Sequence, residues 1–126
     1  MENDPRTYKA IGACMEVHRI MGPGRLEAVY HECLVYEFTE RDIEFISKPR
    51  YAIFYKGKKL KQIYIPDFEI FKSVVLEIKS QKCLTSADEA QIINSLITSN
   101  LEVGLLINFG EKSLKYKRFI NSQWKK

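Results

Sequence analysis

The stretch that decides the fold reads YIPDFEIFKSVVLEIKS and runs from residue 64 to residue 80. In its second half, apolar residues alternate with Glu77 and Lys79, so these two charged side chains share one face of a predicted β-strand. Asp67 lies on the preceding strand, before a predicted reversal near Lys72. Because neighbouring strands lie about 4.8 Å apart, the carboxylates of Asp67 and Glu77 can reach one common point. The stretch therefore predicts a charged cluster on an otherwise apolar sheet.

Two interpretations of this cluster are open. Buried charges are tolerated when they are paired or bound to a metal, and hard carboxylate oxygens such as those of Asp67 and Glu77 suit Mg²⁺ or Mn²⁺. Lys79 projects roughly 6.6 Å further along the strand, where an ammonium can orient a water or neutralise transition-state charge. The other interpretation is structural, with Glu77 and Lys79 forming a solvated pair on an open sheet face.

Helices are predicted before these strands. Asp4-Pro5 has the form of a helix N-cap followed by proline in the first turn. The sequence MGPG at residues 21–24 ends this helix, because glycine and proline together favour a turn. A second helix follows and fades near residues 41–42. Three strands come next, at residues 51–55, 60–68 and 74–80, and we expect them to form an antiparallel meander with KGKK as its first turn.

A helix and two strands are predicted in the last third of the chain. Ser86 and Glu89 have the spacing of a capping box, and the predicted inward residues of this helix are Ala90, Ile93, Leu96 and Ile97. Residues 101–109 are almost continuously apolar, as expected of a strand covered on both faces, and a last strand covers residues 116–120. The strand–helix–strand unit should be parallel. The predicted fold is a mixed sheet of the α/β or α+β class, in the order α-α-β-β-β-α-β-β.

Composition limits the class of protein. A chain of 126 residues is expected to form one domain, residues 1–126. Its three cysteines are far apart and lack a C-x-x-C pair, which argues against a disulfide framework or a zinc ribbon. The amino terminus, Met-Glu-Asn-Asp-Pro, lacks the regions of a signal peptide, and no apolar run is long enough for a membrane span. We therefore expect a cytoplasmic protein without a membrane partner.

The charge is mildly basic and unevenly distributed. The formal net charge is +4, which is compatible with a polyanionic partner without identifying one. One group of lysines surrounds the KGKK turn and another group of basic residues lies near the carboxyl end: Lys56, Lys58, Lys59 and Lys61, then Lys112, Lys115, Lys117, Arg118, Lys125 and Lys126. Such lysines either protect exposed strand edges or contact phosphates.

Several motifs together resemble a known family. They are GPGRLEAVY, PDFEI, VVLEIKS, AQIIN and VGLLINFG, and they extend over nearly the whole chain. This set resembles the GxxExxY proteins of the PD-(D/E)xK nuclease superfamily. The resemblance implies a restriction-endonuclease-like core. It also implies that Glu27, a helical acidic residue before the sheet, completes the metal site, often through water.

The resemblance assigns roles to the other site residues. Asp67, Glu77 and the carbonyl of Ile78 would hold Mg²⁺ or Mn²⁺ with help from Glu27, Lys79 would position the hydrolytic water, and Gln91 would orient the substrate. Some relatives carry Q-x-x-x-Y at this glutamine, whereas this chain has Ser95 in place of the tyrosine. His18 and His31 lack metal-ligand spacing, and we assign them no chemistry.

The predicted function is hydrolysis of DNA by a magnesium-dependent nuclease, and the superfamily implies products with a 5′-phosphate and a 3′-hydroxyl. RNA is a second possible substrate, because such a site handles any phosphodiester. The alternative is a catalytically weak or inactive nuclease-fold module that binds nucleic acid or a protein. A homodimer or a protein partner is also compatible with so small a core.

Overall fold

The computed structural model describes residues 4–126, so the first three residues of the amino-terminal stretch discussed above lie outside the described part. The described chain contains three helices and seven strands. In chain order they are α1 (Pro5–Met21), α2 (Glu27–Glu40), β1 (Phe45–Ser47), β2 (Tyr51–Tyr55), β3 (Lys58–Tyr64), β4 (Phe68–Ile70), β5 (Val74–Lys79), α3 (Ser86–Ser99), β6 (Val103–Asn108) and β7 (Lys115–Ile120).

Helix α1 begins and ends where the sequence predicts. The Asp4 side chain accepts a hydrogen bond from the amide of Arg6 at 2.9 Å, and Pro5 occupies the first turn. Gly22 follows the last helical residue with a φ of 74°. This left-handed conformation favours glycine, which has no Cβ to clash. The chain then turns back into α2, which packs beside α1.

The strands form a mixed sheet, as predicted. Five of them pair in the order β1-β4-β5-β6-β7, while β2 and β3 form a separate two-stranded sheet. Strands β5 and β6 are parallel and are joined by α3, whereas the other pairs are antiparallel. The α/β class and the parallel strand–helix–strand unit are therefore confirmed.

The predicted meander is wrong in its middle strand. The strand expected at residues 60–68 is two strands, because β3 ends at Tyr64 and β4 begins at Phe68. The interruption contains Pro66, which has no amide hydrogen to donate to a neighbouring strand. Strand β1 at residues 45–47 was not predicted either, so the observed order is α-α-β-β-β-β-β-α-β-β. Strands β3 and β5 lie in different sheets. The hairpin that joins β4 to β5 is present, and it reverses through Phe71 and Lys72, whose φ angles are 53° and 57°.

Helix α3 differs from the prediction in its cap and in its inward face. The capping box joins Thr85 and Asp88 rather than Ser86 and Glu89. The buried residues are Ile92, Ser95 and Leu96, whereas Ala90, Ile93 and Ile97 are exposed. The helix lies close to β6 at Gly104, where an added Cβ would meet the side chains of Ile92 and Leu96 at 3.1 Å.

Each face of the five-stranded sheet contributes to a hydrophobic cluster. The larger cluster lies between the sheet and helices α1 and α2, and the smaller one contains Val75, Ile92 and Leu96 on the α3 side. All six residues of β6 are buried, as expected for a strand covered on both faces. Within residues 4–126, no helix combines the length and the apolar character needed to cross a membrane.

Candidate active site

Asp67 lies between Pro66 and the first residue of β4, next to strand β5, which carries Glu77 and Lys79. One of its carboxylate oxygens, Oδ2, accepts a hydrogen bond from the amide of Ile78 at 2.8 Å. The other, Oδ1, lies 3.1 Å from Nδ1 of His31. The side chain is therefore held against β5 rather than turned into bulk solvent.

Glu77 lies on β5 and is partly buried under the two-stranded sheet. Its carboxylate accepts a hydrogen bond from the hydroxyl of Tyr64. Burial raises the pKa of Glu77 from 4.5 to about 7, and the negative charge of Asp67 adds to this rise, while the Tyr64 hydrogen bond opposes it. No lysine or arginine within residues 4–126 forms an ion pair with Glu77. A partly buried carboxylate without a cationic partner is the kind of group that a metal ion stabilises.

Lys79 points from the same face of β5 towards α3. Its Nζ atom donates a hydrogen bond to Oε1 of Gln91 at 3.4 Å and lies 3.9 Å from Oδ1 of Asp88. Gln91 therefore contacts the Lys79 ammonium from the helix that follows β5, where the sequence predicted this glutamine to lie. Both contacts come from the first half of α3, where Gln91 is exposed and Asp88 is partly buried.

Glu27 is the first residue of α2 and reaches the end of β5. Its Oε2 atom accepts a hydrogen bond from the amide of Ser80, the residue after Lys79, at 3.3 Å. The backbone there is also held by the Ser80 hydroxyl, which donates to the carbonyl of Arg25. The predicted acidic residue of the helix thus lies at the same edge of the sheet as Lys79.

The five predicted side chains therefore lie on β5 or beside it. Glu77 and Lys79 belong to the strand, and Asp67, Gln91 and Glu27 contact it from neighbouring segments. Within residues 4–126, however, no group of three histidine, cysteine, aspartate or glutamate side chains is arranged to hold a metal ion. The groups that fit a hard divalent cation are the neighbouring carboxylates of Asp67 and Glu77, with oxygen donors of the type that Mg²⁺ prefers. The assignment of these residues as metal ligands stays a prediction.

His31 lies in the site although its spacing in the sequence indicated no chemistry. The residue is buried, and its ring stacks on Phe68 at 4.1 Å between centroids and contacts both Asp67 and Ser47. The signal that could have found it is its position four residues after Glu27, because residues four apart share one face of a helix. That face of α2 is turned to the site.

Tyr64 is the second residue that the sequence did not single out, although it opens the decisive stretch. Besides donating to Glu77, it lines a cavity of about 470 Å³ together with Gln91 and Ser95 of α3. Ser95 itself is 2% exposed and donates to the carbonyl of Gln91 at 2.8 Å. The aromatic side chain beside Gln91 thus comes from β3, while the helix supplies a small serine in the position of the expected tyrosine.

Comparisons with known proteins agree with this architecture. A sequence model of the PD-(D/E)XK nuclease superfamily matches residues 4–119, which include every site residue described above. No curated protein and no solved structure matches the chain significantly.

Proposed function

The chain belongs to the PD-(D/E)XK nuclease superfamily, and we propose that it is a metal-dependent nuclease that hydrolyses phosphodiester bonds of DNA. The observation that carries this proposal is the partly buried Glu77 carboxylate, which lies beside Asp67 without a cationic partner in the described chain and shares its strand face with Lys79. Within the superfamily, the motif from Gly24 to Tyr30 supports the GxxExxY group. Three free thiols support a reducing, cytoplasmic location.

Asp67, Glu77 and the carbonyl of Ile78 are the groups that would hold Mg²⁺ or Mn²⁺, and Glu27 would contribute through water. When bound, such an ion supplies Lewis-acid polarisation of the phosphate and a lower pKa for a coordinated water. Without it, two neighbouring carboxylates repel each other, which is one reason for the raised pKa of Glu77. The bound ion would thus add positive charge beside a carboxylate that forms no ion pair with a lysine or arginine of residues 4–126.

Lys79 and Gln91 would act on the substrate and on the attacking water. Lys79 is positioned by Gln91 and Asp88, so its ammonium is held near the carboxylates without pairing with Glu77. An ammonium fixed in this way can orient a water and neutralise the charge that develops on a phosphate. Gln91 offers an amide group that can hydrogen-bond a phosphate oxygen.

The direct test is cleavage of plasmid DNA and of short single strands with Mg²⁺ or Mn²⁺ by the wild type and by Lys79→Ala. We expect the wild type to cleave and the variant to lose roughly a hundredfold or more in rate. Lys82→Ala is the matched control, because this exposed lysine lies three residues further along the chain and should leave the rate unchanged. Equal cleavage by all three proteins, or none by the wild type, would overturn the proposed enzyme.

A binding module is the second candidate, and two observations favour it. The described residues contain no group of three potential metal ligands in contact, and Ser95 replaces the expected tyrosine. Such a module would bind nucleic acid in a salt-dependent manner without cleaving it. Cleavage by the wild type that depends on Lys79 excludes it.

A further inference from the structure

The tip of the β2–β3 ribbon is an exposed, basic and aromatic segment that contributes no residue to the proposed active site. All nine residues from 54 to 62 are exposed, and they read FYKGKKLKQ. The turn at its end is made by Lys56 and Gly57, which both have positive φ angles. The ribbon tip, residues 54–62, therefore projects from the molecule on two paired strands.

Positive charge is concentrated in the ribbon tip. It carries four lysines and no acidic residue, so its charge equals the formal net charge of +4 of the entire chain. Within residues 4–126 none of these four lysines forms an ion pair with a carboxylate. Uncompensated lysines on a projecting ribbon attract a polyanion.

Aromatic side chains are exposed between these lysines. Phe54 and Tyr55 are each 62% exposed, and they pair across the ribbon with Lys59 and Lys58 respectively. The Lys56 ammonium lies 5.5 Å from the centre of the Tyr55 ring. Lysines alone would suffice to protect the edges of a two-stranded sheet. The exposed aromatic rings place flat apolar surfaces beside these lysines, which is the combination that binds unpaired bases and their phosphates.

The root of the ribbon is fixed to the proposed catalytic strand. Tyr51 and Tyr64 stack across the ribbon at 6.1 Å between ring centroids. Their hydroxyls donate to Glu69 on β4 and Glu77 on β5 respectively. At the usual rise per residue, Lys59 lies about 16 Å along β3 from Tyr64. The ribbon tip is thereby attached to the strand that carries Glu77 and Lys79.

We propose that the ribbon tip binds a single-stranded segment of the nucleic acid substrate beside the phosphate that is cleaved. Phe54 and Tyr55 are consecutive strand residues and so face opposite sides of the ribbon. The single strand would wrap around the ribbon tip with a base stacked on each ring, while the four lysines contact the backbone phosphates. Basic surfaces that carry aromatic side chains are the usual means of holding single strands, and stacking tolerates any base. A duplex keeps its bases stacked on each other, so it offers these rings no free base face. This inference rests on the proposed function and adds the form of the substrate.

The test measures, by fluorescence anisotropy in EDTA, the binding of fluorescein-labelled oligothymidine and of a matched duplex. We expect the wild type to prefer the single strand, and each of Phe54→Ala and Tyr55→Ala to weaken binding roughly five- to hundredfold. Lys58→Ala and Lys59→Ala should each lower the salt slope by about 0.7. The controls are Tyr36→Ala, which removes another exposed aromatic side chain, and the double variant Lys125→Ala/Lys126→Ala, which removes basic residues elsewhere.

Failure of this inference is distinguishable from failure of the proposed function. Equal binding of duplex and single strand, or wild-type affinity in Phe54→Ala and Tyr55→Ala, overturns the ribbon inference even if the wild type cleaves DNA. Loss of binding in these variants supports it even if no protein cleaves, in which case the chain is a single-strand binding module. Circular dichroism of each variant establishes that it has folded.

Discussion

The Nδ1 atom of His31 lies 3.1 Å from Oδ1 of Asp67. The second ring nitrogen lies 2.7 Å from the hydroxyl oxygen of Ser47, and the ring stacks on Phe68. Because an ionised carboxylate only accepts hydrogen bonds, Nδ1 is the donor in this pair. His31 is thus held on three sides and in turn fixes the orientation of Asp67.

The first prediction concerns this contact. Replacing His31 by alanine should lower cleavage about 10- to 100-fold, since residues that orient a metal ligand have effects of this size. His31→Asn retains an amide donor and should recover part of the loss. Values of kcat and KM for a single-stranded substrate measure both effects.

The other histidine provides the control. His18 contacts the carbonyl of Glu111 at 2.9 Å rather than any site residue, so His18→Asn should keep wild-type kcat. If His31→Ala cleaves as fast as the wild type, His31 does not position Asp67.

The second prediction concerns Tyr64. Its hydroxyl lowers the pKa of Glu77 by donating to the charged carboxylate. In Tyr64→Phe this pKa should therefore rise above about 7 in the metal-free protein, and the pH at which the Glu77-linked stability is lost should move to higher pH. Tyr51→Phe removes the corresponding hydroxyl from Glu69 and should leave that pH unchanged. Urea unfolding in EDTA between pH 5 and pH 8 measures the shift, and an identical pH dependence in Tyr64→Phe and the wild type would contradict the prediction.

The third prediction concerns stability without metal. The pKa of Glu77 is raised from 4.5 to about 7 on folding, so between these values the folded state binds more protons than the unfolded state. The free energy of unfolding should therefore fall as pH rises through this window, by up to about 3 kcal/mol from this residue. Glu77→Gln should lose that dependence. Urea unfolding in EDTA near pH 5 and near pH 8 measures the difference.

The fourth prediction concerns the metal. A ligand that binds only the folded state stabilises it, by about 2.7 kcal/mol at a concentration of 100 times Kd. Mn²⁺ should accordingly raise the Tm of the wild type and have a much smaller effect on Asp67→Asn. Glu69→Gln is the control, because this carboxylate lies on β4 but contacts Tyr51. An equal rise in Tm for all three proteins would place the ion elsewhere.

The fifth prediction concerns the start of α1. Asp4 caps the helix and forms ion pairs with Arg6 at 2.7 Å and with Arg118 at 3.1 Å. Asp4→Ala should lower the free energy of unfolding by about 1 to 3 kcal/mol. The hydrogen bonds from Arg6 hold the pKa of Asp4 well below its ordinary 3.8, so this stabilisation is present above that pH and is lost as the pH falls further. Glu16→Ala, which breaks an exposed pair with Arg19, should change stability little.

Much of the site could be predicted because its central part is local in the chain. Alternation of apolar and charged residues places Glu77 and Lys79 on one face of β5, and a short hairpin places Asp67 opposite. These relationships depend only on the two-residue period of a strand and on one reversal. The sequence predicted one strand at residues 60–68, although Pro66, which cannot donate a ladder hydrogen bond, lies where the two observed strands separate. The change of pairing from one sheet to another depends on contacts with other segments and not on the local pattern.

The sequence by itself determined the three helices, the strands β2, β5, β6 and β7, the mixed arrangement of the sheet, and the acidic and basic side chains that gather at β5. Only the tertiary structure decided which distant side chains complete that group, namely His31 against Asp67 and Tyr64 against Glu77. It also decided that α3 turns Ile92 inward and leaves Ile93 exposed. The physical reason is that periodicity records the polarity of an element's faces, whereas contacts between elements depend on packing across segments far apart in the chain.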